Sequence, residues 1–225
     1  FTTEEAPHIT VSVRYAQPGE PLPDVHGYAR LDREGNHIAL ALSREAYGDS
    51  TVWQVLHAIP LAELLLERGT LSLHASYIFH NGKGILFCGP SGIGKSTQAD
   101  LWRRYRGAQV INGDRVLVTP GPEGCHVSSH YICGTSGICR NVTADLQAVV
   151  LLEQGTENRI LTGSMLHAFR RLMAECAYDP KDRTQVSSLT ALLETLMARI
   201  PVLRYVCRKD ESAVSDLERY LYEKF

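Results

Sequence analysis

The stretch Gly89-Pro90-Ser91-Gly92-Ile93-Gly94-Lys95-Ser96-Thr97 restricts this chain more than any other, because its spacing, a Gly, four residues and then Gly-Lys-Ser, is that of a P-loop. Such a loop leaves a strand and enters a helix, and both neighbours have the right composition. Gly84-Ile85-Leu86-Phe87-Cys88 is an apolar run of the buried-strand type. Thr97 to Arg106 reads as a short helix that packs Ala99, Leu101, Trp102 and Tyr105 and stops at Gly107, where a left-handed C-cap suits glycine. A glycine-rich turn matching by chance would need neither. Glycines let the backbone close around an anion, and the amide N–H groups and the helix N-terminus then face the phosphates. Lys95 reaches the terminal phosphates and Ser96 offers its hydroxyl to Mg2+. The residues expected to bind the cofactor, ATP or another nucleoside triphosphate with Mg2+, are therefore Gly89, Ser91, Gly92, Ile93, Gly94, Lys95, Ser96 and Thr97.

With 225 residues the chain forms one large domain or two small ones, and a hydrophobic content of 44% supplies a full core. A net charge of −2, with neither sign in blocks, gives no electrostatic reason to hold nucleic acid or an anionic membrane, so neither is an expected partner. No apolar run approaches the roughly 20 residues that span a bilayer, and Phe1-Thr2-Thr3-Glu4-Glu5 lacks the basic segment and apolar core of an export signal. No initiator Met is present, which leaves the true start open. Six cysteines, Cys88, Cys125, Cys133, Cys139, Cys176 and Cys207, are too scattered for a disulfide framework, and no C-x-x-C pair points to zinc. Reduced thiols and a cytoplasmic location are the expectation. His126 and His130 have the i, i+4 spacing of helical metal ligands, but Gly121, Pro122 and Gly124 precede them in an extended segment, so a solvated or packed pair is expected.

In chain order, His8 to Tyr15 alternates like a strand, and a strand pair over Tyr28 to Leu31 and His37 to Leu42 turns at Asp32-Arg33-Glu34-Gly35-Asn36. Ser50 or Thr51 caps a helix with Val52, Leu56 and Ile59 on one face, and Pro60 kinks it or starts a second helix through Leu66, ended by Gly69. Any domain boundary lies near Gly69. Leu71 to Phe79 is a strand joined through His80-Asn81-Gly82-Lys83 to the strand that enters the loop, so a hairpin precedes the loop and the sheet must be mixed. Ala108 to Ile111 and Val116 to Thr119 flank Asn112-Gly113-Asp114-Arg115, which also has hairpin chemistry. Leu146 to Leu152 is a further apolar strand ending at Glu153. Two helices follow, one lined by Leu166, Phe169, Leu172, Met173 and Cys176, the other by Leu189, Leu192, Leu193, Leu196, Met197 and Ile200. Val202 to Cys207 makes a closing strand, and Asp210 caps a final helix.

Three segments occur here in a characteristic order: Leu73-His74-Ala75-Ser76, then Gly84 through Thr97, then Val110-Ile111-Asn112-Gly113-Asp114-Arg115-Val116. In this order the chain resembles the HPr kinase/phosphorylase group, relatives of the ATP-dependent phosphoenolpyruvate carboxykinases, from about Leu71 to Val118 and by order of elements through the tail. The resemblance implies an α/β (α+β) fold, a mixed β-sheet around the P-loop, in a P-loop kinase domain with C-terminal helices over 70–225; it does not extend to the first seventy residues, whose small β layer plus helix over 1–69, read from the strand and helix patterns above, is a separate unit or part of the same domain. It also implies transfer of a phosphoryl group from a nucleotide to a serine-type hydroxyl, a reaction that similar peptide-tailoring kinases perform on precursor peptides.

Residue by residue, His74 falls on the family's histidine in the strand before the loop, near the reacting phosphate; a packed strand histidine is the bland alternative. Asp114 falls on the second residue of the family's Asp-Asp pair, which binds the metal and serves as base for the incoming hydroxyl, while the first of the pair is Gly113 here. A type I′ hairpin would make Asp114 a mere turn residue. Glu153 ends an apolar strand as a Walker-B-like acid does, and Arg159 follows where an arginine could meet the transferred group; ordinary loop charges are the alternative. Cys133 to Asn141 reads as a substrate-side loop with Thr135, Ser136 and Arg140 as polar contacts, or as a plain surface turn, and it lacks the Arg-Gly-Leu-Gly signature of true HPr kinases.

The expected catalytic set is thus Asp114, His74, Lys95, Glu153 and Arg159, with Ser96 and Asp114 on the metal. The expected function is an ATP- and Mg2+-dependent kinase acting on Ser or Thr of a peptide or small protein. A small-molecule hydroxyl kinase of the same fold and a nucleotide-binding switch or scaffold are the alternatives, and a homo-oligomer is open.

Overall fold

The computed structural model describes residues 10–22, 29–47, 59, 61–161 and 164–224. Contacts divide the chain into two compact units, Phe1–Leu61 and Ala62–Phe225. In the first, β1 (Thr10–Tyr15), β2 (Ala29–Glu34) and β3 (His37–Leu42) form a sheet in the order β1-β3-β2. β2 and β3 are antiparallel across Gly35-Asn36, so the turn is tighter than the five residues expected, with Gly35 at φ 57°. β1 runs parallel to β3, and Ile38, Leu40, Ala41 and Leu42 are buried. The short α1 (Arg44–Tyr47) follows. Most of the helix expected after Ser50 lies outside the described residues.

The second unit opens with α2 (Leu61–Leu66) and holds an eight-stranded sheet. The hairpin of β4 (Leu71–His80) and β5 (Lys83–Cys88) turns through Asn81 at φ 49° and Gly82 at φ 80°, the two positive values that a primed turn demands. β5 then feeds the glycine-rich loop and α3 (Lys95–Arg106), which ends at Gly107 in the left-handed region. Beyond them come β6 (Gln109–Asn112), β7 (Arg115–Pro120), β8 (Cys125–Ser129), β9 (Thr143–Gln154), β10 (Arg159–Leu161), α4 (Met165–Glu175), α5 (Arg183–Arg199), β11 (Val202–Cys207) and α6 (Glu211–Lys224). The strand order is β10-β11-β9-β5-β4-β7-β8; β6 adds to β4, and β8 also pairs with β9. β5, β9 and β11 are mutually parallel and the remaining pairings antiparallel, so the fold is mixed α+β.

Side-chain alternation along the central strands feeds two cores. Leu71, Leu73, Ala75, Tyr77, Leu86, Cys88, Val149 and Leu151 face Ala168 and Leu172 of α4 and Leu189, Leu193 and Leu196 of α5. Ile78, Ile85, Phe87, Ala148, Val150 and Leu152 face the opposite layer, made by Ala99 and the fully buried Trp102 of α3 with Ala213, Val214, Leu217 and Leu221 of α6. β5 therefore sits in the middle of a covered sheet, and its C-terminal end delivers the loop from a rigid support.

Three expectations need correction. Gly113 and Asp114 have no positive φ, and β6 and β7 do not pair with each other. Both run antiparallel to β4, Tyr77 opposite Asn112 and His74 opposite Arg115, so they follow one line along β4, bulged at Ile111 and broken only at Gly113-Asp114, rather than forming a hairpin. On α4, Leu166 is 57% exposed beside Met165 at 70%, because Ala168 and Leu172 carry the buried stripe. Finally, Cys133 and Cys139 form a disulfide: Gly134 and Gly137, both left-handed, fold the six-residue separation back until the two Cα atoms are 5.3 Å apart. The other four cysteines are free, and the cysteines no longer argue for a reducing compartment.

Candidate functional site

At the C-terminal end of β5 the chain turns through Gly89, Gly92 and Gly94 with φ of 141°, 79° and 116°, conformations that a side chain would strain. Gln154, at the end of neighbouring β9, ties the loop down by donating to the carbonyls of Gly92 (3.2 Å) and Ile93 (3.3 Å). Lys95 opens α3 with its side chain folded back under the loop, where Nζ donates to the carbonyls of Gly89 (2.7 Å) and Pro90 (3.3 Å). Burial lowers the Lys95 pKa, an effect opposed first by the negative charge of Glu175 and then by that of Asp114 nearby.

Asp114 reaches the same place from the β6–β7 strand. Its carbonyl accepts from Ala75 N (2.9 Å), while its own N–H and that of Arg115 donate to Asn112 Oδ1 at 2.8 and 3.0 Å. Asn112, fully buried, also donates through Nδ2 to the carbonyls of His130 (2.8 Å) and Ile132 (2.9 Å). One amide thus binds the Asp114 backbone to the base of the Cys133–Cys139 loop. The contact is close: a Cβ on Gly113 would stand 2.9 Å from Ser136 Cβ, and one on Gly134 would stand 2.7 Å from Asp114 Cβ. Both glycines are needed for the loop to lie against the carboxylate.

His74, on β4, completes the arrangement. Its Nε2 is 3.4 Å from Asp114 Oδ1, and its Nδ1 is 3.0 Å from Glu175 Oε2 at the end of α4. A cavity of about 300 Å³ results, bounded by Ser91, Gly92, Gly94, Lys95, Ser96 and Thr97 on one side and by His74, Gly113, Asp114, Thr135 and Ser136 on the other. A glycine-rich loop, a carboxylate, an imidazole and five hydroxyls therefore share one space.

Not every residue singled out in the sequence joins it. Glu153 accepts from Arg204 Nε (2.9 Å) and Nη2 (2.8 Å) and has Arg171 Nη1 at 3.8 Å, outside the cavity lining. Arg159 is exposed on β10, at the edge of the sheet three strands from β5. Arg140 places its backbone N–H on the Ile111 carbonyl (2.9 Å), but its side chain is exposed and not on the cavity wall. His126 is exposed and pairs with Asp145 (3.0 Å), whereas His130 is buried and stacked on Tyr131. Among the described residues no three His, Cys, Asp or Glu side chains gather as a metal cage.

Asn112, Gln154 and Glu175 escape sequence reasoning. Asn112 carries a signal of sorts, an Asn before Gly-Asp, but in a strand reading it has no evident task. Glu175 carries none, since the periodicity of α4 marks only which of its faces is apolar.

No protein-family model matches the sequence, and no curated protein matches it either. Among solved structures, the Hpr(Ser) kinase/phosphatase from Coxiella burnetii is similar at 15% identity and a TM-score of 0.41, over 68% of this chain and 97% of that one.

Proposed function

We propose that the chain is an ATP- and Mg2+-dependent kinase that transfers a phosphoryl group to a hydroxyl, the acceptor being a serine or threonine of a peptide or small protein. The observation that carries this reading is the shared cavity, in which Lys95 and Ser96 of the glycine loop face Asp114, His74 and the hydroxyls of Thr135 and Ser136. Phosphoryl transfer asks a protein mainly for positioning and charge neutralisation, and this is the inventory it uses. The loop amides and Lys95 hold the phosphates; Lys95 leaves the Gly89 and Pro90 carbonyls for a better acceptor. Ser96 and Asp114 offer two hard oxygen donors on one cavity, which fits magnesium, an ion that takes one or two protein ligands beside phosphate oxygens. Bound there, the ion would neutralise phosphate charge. Asp114 takes the proton of the attacking hydroxyl, and His74 lies beside it.

Cavity size limits how much of an acceptor enters. About 300 Å³ accommodates the phosphate end of the nucleotide and one hydroxyl-bearing side chain, so the rest of the acceptor stays outside, against the exposed Cys133–Cys139 loop. The test is transfer of labelled γ-phosphate from MgATP to a panel of hydroxyl peptides, small proteins and small metabolites, by the wild type and by Lys95→Ala. Acceptor-dependent labelling that the variant loses at least about 100-fold is the expected result, since a charge at the transition state is removed. Equal turnover by a folded Lys95→Ala would refute the reading, and labelling of metabolites alone would move the acceptor class.

A further inference from the structure

Glu175 is the last residue of α4, and the chain just beyond it is fastened to β4 next to His74. Ala177 N donates to Ser72 O (2.9 Å) and Cys176 bridges Leu73, which leaves Glu175 no choice of neighbour. Its side chain is 10% exposed, and Oε2 lies 3.0 Å from His74 Nδ1. An ionised carboxylate only accepts hydrogen bonds, so in this contact Nδ1 carries the hydrogen. The other ring nitrogen, Nε2, is then the one turned toward Asp114 on the cavity wall, 3.4 Å from Oδ1.

Resting on the phosphoryl-transfer reading above, we propose that Glu175 is a positioning residue for the reaction: by accepting from Nδ1–H it holds the His74 ring with Nε2 on the reacting side of the cavity. Glu175 does not line the cavity: its hydrogen-bond contact there is with His74, and it reaches Lys95 only through its charge. An imidazole on a strand has two side-chain torsions to settle, and a single long contact at Nε2 does not settle them. A largely buried second acceptor fixes the ring and keeps a hydrogen on Nδ1, as outer partners of functional histidines do. Because the contact is a hydrogen bond to a fixed acceptor, a neutral acceptor of the same shape should serve.

The experiment has two arms. Long-range ¹⁵N–¹H spectra of His74, assigned by the signal lost in His74→Asn, read which ring nitrogen bears hydrogen, with or without turnover. The expected result is a hydrogen-bearing Nδ1 in the wild type and in Glu175→Gln, and a bare Nδ1 in Glu175→Ala. If Glu175→Ala does not fold, Glu175→Met keeps the volume without an acceptor and takes its place. In the kinetic arm, Glu175→Ala lowers kcat about 10- to 100-fold with nucleotide Kd within about threefold, Glu175→Gln recovers most of the loss, and in a His74→Asn background Glu175→Ala adds less than about twofold. A bare Nδ1 in the wild type, or a ring unchanged in Glu175→Ala, overturns the proposal independently of whether the protein transfers phosphate. A loss of kcat equally large without His74 also overturns it, because Glu175 would then act by another route.

Discussion

Gly113 links a missing carboxylate to the shape of a loop. The resemblance implies a pair of aspartates at 113 and 114, and this chain has only the second. Side-chain space explains it: Ser136 fills the volume that a Cβ at 113 would occupy, donating to Cys133 O (2.9 Å) and accepting from Ile138 N (3.2 Å). Gly113→Asp is therefore expected to impair the protein, not to restore a second acid. Overpacking of this kind costs about 1–3 kcal/mol, here by pushing the Cys133–Cys139 loop off Asp114. Steady-state kinetics and thermal unfolding of the variant would show a raised acceptor KM and a lowered Tm; a kcat above wild type would refute this account of the position. The residue scale is also where sequence reading was weakest. That Lys95 and Ser96 would share a cavity was legible because their glycine-rich spacing is local, whereas no spacing announced that Glu153 would sit against Arg204 and Arg171 and not on that cavity.

Among the elements, those set by local signals were legible and those set by distant pairing were not. The β4–β5 hairpin follows from Asn81-Gly82, and α3 from its spacing and Gly107. Asn112-Gly113-Asp114-Arg115 carries equally good turn residues, yet β6 finds β4, already beside it, and the same residues continue along that edge as a bulged strand. A turn motif states what is cheap locally, and strand pairing decides. The helix α5 offers a quantitative check on a signal that sequence reading passed over. Asp182 caps it, accepting from Thr184 N (2.8 Å) and Gln185 N (3.2 Å), and these bonds, that from Gln185 foremost, hold its carboxyl below the ordinary value of 3.8. A lowered folded-state pKa means the cap stabilises fully above pH 3.8 and is lost as pH falls through the lowered value. Asp182→Ala should lower Tm by about 2–4 °C at pH 7, and the gap from wild type should close below that window in scanning calorimetry. A gap unchanged at low pH would deny the carboxylate its capping role.

On the scale of the whole molecule, the layout explains why Lys95, His74 and Asp114 collect at one end of the sheet. β5 lies between β4 and β9, with helices on both faces, so the loop, His74 and the Asp114 strand are all anchored on neighbouring strands. Rigid support on that pattern is what positioned phosphate chemistry needs. The mixed sheet was legible from the hairpin ahead of the loop; the closure of β8 onto β9, and the disulfide loop it presents, depended on contacts that no spacing announces. Among the described residues, Asp114 is the one carboxylate that lines the cavity. The direct measurement is kcat for acceptor phosphorylation and Kd for MgATP on wild type and on Asp114→Asn, which preserves size and removes charge. A fall in kcat of at least about 100-fold with Kd held within a few-fold is the predicted result, since the variant loses a general base and a magnesium ligand. A kcat within a few-fold of wild type would contradict it and leave a nucleotide-binding protein whose catalytic acid, if any, lies elsewhere.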